Sequence, residues 1–292
     1  MIYGKPEGEL MKVKITSDST CDLGKNILDR FNISVVPLNV VLGDKSYEDG
    51  VEITPQDIFD YVEKTGVLPK TSATSLGQYE DFFAEQFKTY DAVIHLSLSS
   101  KISSSYLNAM MVAKENKGKL FVIDSLSLCA GQGLLAIRAA IMAQEGKEPK
   151  EIVKAVEALR DKVVTSFVPD SLDYLHKGGR CSLASMMGAK ILKMHPLIVM
   201  SDGVMTARKK YMGNMEVSMK RYIADAFENF GKTYDPSMCI LAHACAEKEV
   251  VDKVRAQLEA TFAFDEIVET VAGCTITSHC GKNTMAIFFM LK

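Results

Sequence analysis

The sequence predicts an α/β protein with a mostly parallel sheet covered by helices on both faces, followed by a mixed sheet containing a hairpin. Three observations carry that prediction. Short β-branched apolar runs alternate with longer helical stretches from Val13 to Asp161, the pattern of parallel strands joined by crossover helices. The alternation changes near Val163. Beyond it, Leu197-Ile198-Val199-Met200, Asp202-Gly203 and Val204 to Lys210 read as a hairpin turned by Asp-Gly.

Val13 to Thr16 is a short strand. Asp18-Ser19-Thr20-Cys21-Asp22-Leu23 leads into a helix to about Phe31, with Ser19 or Asp22 as its cap. Ile33 to Leu42 reads as one strand. Thr54-Pro55-Gln56-Asp57 combines an N-cap, an N1 proline and an acid in the first turn, so a helix starts there and ends near Gly66. Pro69 to Ser75 is a hydroxyl-rich loop before a helix from Leu76 to about Lys88. Ala92 to Leu96 is a buried strand. It turns through Ser97-Leu98-Ser99-Ser100-Lys101-Ile102-Ser103-Ser104-Ser105 into a helix from Tyr106 to Ala113. A strand that turns through hydroxyls into a helix gathers free N–H and O–H groups, which suits a carboxylate or phosphate. Loops 71–75 and 97–105 converge if their strands share an α/β sheet, where ligands sit beyond the strands' carboxyl ends.

Leu120 to Ile123 is a strand, and helices span about Leu128 to Gln144 and Pro149 to Asp161. After strand Val163 to Val168, a helix from Ser171 to His176 stops at Gly178-Gly179, and Ser182 caps the next. Helices Asn214 to Phe230 and Glu247 to Thr261 flank the strand Met238 to His243. Ile267 to Val271 and Met285 to Leu291 are the last strands, with a loop carrying His279 between them. The 292 residues suffice for two medium domains, and the change of pattern places them at 12–163 and 164–292.

Composition narrows the function. Net charge is −3 without a basic block, which argues against nucleic acid as partner. No apolar run approaches the roughly 20 residues of a membrane span. Met1 to Leu10 is polar and lacks a signal-peptide core, so it reads as a loose extension. Seven scattered cysteines, an odd count without a CxxC pair, point to reduced thiols and a cytoplasmic location. Cys239, His243 and Cys245 alternate on one strand, but strand spacing closes no tight chelate, and no metal or cofactor is expected. His95, inside a strand, reads as a satisfied core residue. Arg180, after two glycines, is placed to reach an anion as a bidentate donor. Eight of the 16 methionines lie between Met186 and Met219, and flexible thioethers suit an adaptable apolar cavity. Nucleotide loops and hydrolase or zinc-protease signatures are missing.

Taken together, Asp18 to Leu23, Thr71-Ser72 with Ser75, Ser99-Ser100 through Ile102 to Tyr106, Tyr174 to Arg180 and the His279 stretch resemble the motifs of the DegV family of bacterial fatty-acid-binding proteins. That family includes the lipid-binding subunit of bacterial fatty acid kinase. The resemblance runs from about residue 12 to 292. It implies two α/β domains with one acyl chain between or beneath them, the pocket belonging to the second. It implies a long-chain fatty acid such as palmitate, its carboxylate held by Thr71 and Ser103 with His279 beside it. Arg180 becomes a contact for phosphate or a partner. The chain would be a non-catalytic carrier that presents its acid to a separate kinase for acyl phosphate formation. Departures from the family pattern stand at Ser104 and Ser105, at Ala73-Thr74 and at Lys282-Asn283. A Cβ at Ser104 disfavours positive φ. Two other functions fit the residues: a hydrolase with Ser103 as nucleophile and His279 as base, and a phosphotransfer or sugar-kinase-type domain binding a small polyol or phosphate.

Overall fold

The structure is a computed structural model and describes residues 11–181 and 194–292. The chain opens with β1 (Val13–Asp18), a single tight turn at Ser19–Cys21, and α1 (Lys25–Phe31). Then come β2 (Ile33–Val36), β3 (Asn39–Leu42), β4 (Lys45–Glu48), α2 (Pro55–Thr65) and β5 (Lys70–Ser72). Next are α3 (Leu76–Phe87), β6 (Ala92–Ser97), α4 (Ser105–Glu115), β7 (Leu120–Asp124), α5 (Cys129–Gln144) and α6 (Pro149–Ala158). The later part runs through β8 (Val163–Val168), α7 (Asp173–Gly178), β9 (Met194–Ser201), β10 (Val204–Met212) and α8 (Met215–Phe230). It ends with β11 (Tyr234–His243), α9 (Lys248–Thr261), β12 (Ile267–Val271), α10 (Cys274–Cys280) and β13 (Met285–Leu291).

The first sheet has the order β2-β1-β6-β7 and every pair is parallel. Strand β6 is buried at each position, as a strand covered on both faces must be. Ile33 to Leu42 is not one strand. Pro37 interrupts it, since proline offers no N–H to a ladder. Beyond Pro37, β3 leaves the parallel sheet for a small antiparallel one of order β4-β3-β5. Thr71 therefore sits on a short strand, opposite Val40, and not in a loop.

The second sheet, β10-β9-β8-β13-β11-β12, is mixed: only β11 and β12 run parallel. Helix α5 is buried from Cys129 through Ile137 and packs against strands of both sheets. An all-round apolar helix is a core helix. Its one large polar residue in that run, Gln132, is satisfied: its amide donates to Ser17 Oγ and Leu96 O, and its carbonyl accepts from Thr20. The largest hydrophobic cluster includes residues of both sheets, among them Ile15, Ile94, Phe167 and Phe288. A second cluster lies between the far face of the mixed sheet and α8 and α9. Among the described residues no helix is long and apolar enough to cross a membrane.

Candidate functional site

The end of β5, the loop after β6 and helix α10 of the second half meet at a cavity. The loop after β6 is held from beneath by Asp18 at the end of β1. Its Oδ2 accepts from Ser97 Oγ and Leu98 N, each at 2.8 Å, and its Oδ1 from Tyr79 and His95. Burial pushes the Asp18 carboxyl up, but His95 and these hydrogen bonds outweigh it and hold the carboxyl below its usual value. His95 is fully buried and bonded on both ring nitrogens, to Thr16 and Asp18, as a satisfied core histidine.

Further along that loop, Ser103 Oγ accepts from Ser105 N at 3.2 Å and shares a hydrogen bond with Ser105 Oγ at 2.9 Å. Ser103 thus closes the entry to α4. Ser104 has φ −84°, so its side chain causes no backbone conflict there.

His279 lies on α10, not in a loop. Two carboxylates from the first half of the chain cap this short helix. Asp49 accepts from Cys274 N at 2.7 Å and Thr275 N at 3.2 Å, and Asp22 from Gly273 N at 2.9 Å. Asp49 also accepts from Ser19, whose hydroxyl accepts from Leu38 N. Neither Ser19 nor Asp22 caps α1; its N-cap is Gly24, without a side-chain bond. Burial pushes the Asp22 carboxyl up to about 8, against hydrogen bonds that lower it and with Asp49 adding to the rise.

The cap aims His279 across the cavity. Its Nε2 and Thr71 Oγ1 share a hydrogen bond of 2.8 Å. Its Nδ1 is buried without a partner and faces Gly178: a Cβ at Gly178 would lie 2.5 Å from it. Burial, and then the positive charge of Arg180, hold the imidazole down to about 4, so it is neutral near pH 7. Arg180 is exposed, and its guanidinium donates to Gly178 O at 2.7 Å.

Thr71, Ser103, Arg180 and His279 all line one cavity. It has ≈ 910 Å³ of empty space, its open mouth included. Both halves of the chain supply the walls. Leu98, Ile102 and Leu128 come from the first, and Phe167, Ala242, Ala286 and Phe288 from the second. Among the described methionines only Met205 lines it; Met219 packs in the second core and Met212 is exposed. Met186, Met187 and the expected cap Ser182 lie outside the described residues. Thr275 is a lining residue the sequence did not single out. It sits one turn before His279 on α10, buried, and its Oγ1 has no partner. Only the spacing of four residues could have flagged it, had 275–279 been read as helix.

The geometry does not assemble a hydrolase. Ser103 bonds Ser105, His279 bonds Thr71, and among the described residues no acid orients the free ring nitrogen. Among the described residues no three His, Cys, Asp or Glu side chains group as metal ligands.

Fold and cavity together define the class: an α/β protein of one parallel, one mixed and one small antiparallel sheet, enclosing a largely apolar cavity whose polar side chains include hydroxyls, His243, His279 and Arg180. The chain belongs to the DegV family, whose model, described as an uncharacterised protein family, matches residues 12–292. A DegV domain-containing protein of Caldanaerobacter subterraneus is 31% identical over 283 residues, covering 96% of this chain and 99% of that protein. A solved DegV family structure from Thermus thermophilus, described for its fatty acid binding, superposes with a TM-score of 0.89 at 26% identity, over 97% of this chain and 100% of that one. DegV of Bacillus subtilis, described as a fatty acid binding protein, gives 0.83 at 27% identity, with coverage of 97% and 100%.

Proposed function

We propose that this chain binds one long-chain fatty acid in the cavity, with the carboxylate held by Thr71 and Ser103 beside His279. The observation that carries this reading is the make-up of the cavity: largely apolar walls with a few hydroxyls, His243 and the neutral imidazole of His279. Each buried CH₂ contributes about 0.8 kcal/mol, so the acyl chain supplies most of the affinity. The polar groups fix orientation and discriminate against other head groups. With His279 Nε2–H donating to Thr71 Oγ1, the threonine hydroxyl is free to donate to the carboxylate. The two Thermus and Bacillus relatives, each described as binding fatty acid, support the ligand class.

The role that follows is that of a cytoplasmic carrier which presents its acid to a separate kinase. No nucleotide loop is found in the sequence, and Arg180 at the rim offers a positive charge where acyl phosphate would form. Organic extraction of the purified protein, followed by mass spectrometry, tests the ligand: one long-chain acid per chain is expected. Protein free of lipid that also takes up no added palmitate or oleate refutes it. The kinase role is tested separately, by mixing loaded protein, ATP–Mg²⁺ and candidate kinases from the host and assaying acyl phosphate.

A further inference from the structure

We propose that Ser99 is the positioning residue of the head-group site, clamped by the backbone of Gly203, so that the β9–β10 hairpin sets the aim of Ser103. The inference rests on the reading of Ser103 as a carboxylate donor. Ser99 is fully buried, and each of its polar atoms is hydrogen-bonded. Its carbonyl accepts from Ile102 N at 3.1 Å and Ser103 N at 3.2 Å, and its own N–H donates to Ser127 O at 3.0 Å. Its hydroxyl accepts from Lys101 N at 3.3 Å and donates to Gly203 O at 2.7 Å. The last bond is the one that leaves the first half of the chain.

Gly203 is required there for more than the turn. Asp202 and Gly203 both have positive φ, 51° and 80°, which a tight hairpin needs and which asparagine also tolerates. Contact removes that tolerance. A Cβ at Gly203 would lie 2.7 Å from Ser99 Oγ and 3.0 Å from both Leu126 Cδ2 and Lys101 Cγ. The hairpin tip is therefore seated by backbone on the serine that folds the Ser103 turn.

The same hairpin touches the rest of the site. Met205, two residues on, lines the cavity, and Cys181 Sγ, next to Arg180, approaches Met205 O at 3.9 Å. Residues 203–205 thus join the head-group turn, the apolar wall and the Arg180 segment. A chain seated against Met205 and a carboxylate at Ser103 share one support, although Ser99 touches neither.

The test compares palmitic acid with hexadecanol on the full-length protein. Ser99→Ala removes the clamp while leaving every lining side chain in place. Expected is a loss of about 10-fold for the acid, one hydrogen bond's worth, and little change for the alcohol. Gly203→Ala, which pushes on the clamp from the other side, gives the same acid-selective loss. Equal losses for acid and alcohol in both variants mean a merely structural role and overturn the proposal, as does unchanged acid affinity. If one variant does not fold, the other decides. A wild-type protein that binds neither ligand refutes the fatty acid reading itself. Wild-type binding of the acid with unchanged Ser99→Ala affinity refutes only the role of Ser99.

Discussion

Thr71 and His279, separated by 208 residues in sequence, share a 2.8 Å hydrogen bond at the cavity wall. The bond joins a strand of the small antiparallel sheet to a helix between the last two strands of the mixed sheet. In the tautomer whose Nε2–H donates to Thr71 Oγ1, the threonine hydroxyl keeps its own proton to donate. Thr71→Ala and Ser103→Ala are each expected to weaken binding of a long-chain acid by about 1–3 kcal/mol, because each leaves a buried carboxylate short of a donor. A fatty alcohol of equal length should lose less. Calorimetric titration of both ligands checks this, and equal losses would remove these hydroxyls from the head-group site.

The depressed imidazole of His279 makes a statement about stability. Between about 4, its value here, and 6.5, its ordinary value, the unfolded chain binds a proton that the folded one refuses. Stability from this group is full above about 6.5 and declines as pH falls towards about 4. Asp22, raised to about 8, runs the other way and loses stability as pH rises through its window. His279→Asn should therefore lose less stability than wild type between about pH 7 and about pH 5 in urea unfolding. An unchanged difference would mean that His279 is not held neutral.

Asp49 is the least exchangeable of the residues that aim His279. Buried and joined to Ser19 Oγ, Cys274 N and Thr275 N, it caps a helix 225 residues away. Asp49→Ala is expected to cost about 1–3 kcal/mol, since two buried N–H groups and the half-buried Ser19 hydroxyl lose their shared acceptor together. The same variant should bring the His279 titration, followed by NMR, back towards its ordinary range as the helix loosens. A variant as stable as wild type would show that α10 does not depend on this cap.

That cap also explains what the sequence hid. Thr275-Ile276-Thr277-Ser278 is a poor helix former, and the carboxylate that makes it helical is remote in the chain, so His279 read as a loop residue. Asp-Gly at 202–203 and the helix start at Thr54-Pro55-Gln56-Asp57 were legible because their chemistry is local. Pro37 was visible, yet its consequence, a strand that changes sheet, depends on partners β4 and β5, whose pairing no local pattern announces. The methionines misdirected the reading of the cavity wall. Thioether content says that irregular apolar space is filled, not which space, and the apolar part of the wall is mostly alanine, leucine and phenylalanine.

Strand register orders the lining residues of the mixed sheet along the cavity. Across the mixed sheet, Ala242 stands opposite Ala286, and Ala286 opposite Phe167. One row further on, Ile240 faces Phe288 and Phe288 faces Thr165. The two alanines, Phe167 and Phe288 line the cavity, whereas Ile240 and Thr165 do not. At the other end of the β13 stretch, Thr284 lines the cavity and donates to Cys280 O, beside His279. With a rise of about 3.4 Å per residue, Thr284 to Phe288 spans roughly 14 Å along the sheet. In the proposed binding mode the chain runs over the paired alanines and ends at the Phe288 row. Ala286→Leu should fill that room and shift preference towards shorter acids. Each methylene that can no longer be buried costs about 0.8 kcal/mol, close to fourfold in affinity. Phe288→Ala should extend the range towards longer acids, at a stability cost of about 3–5 kcal/mol. Dissociation constants for the saturated series from decanoic to octadecanoic acid provide the measurement. A chain-length profile unchanged in both variants would place the methyl end of the ligand somewhere other than this face of the sheet.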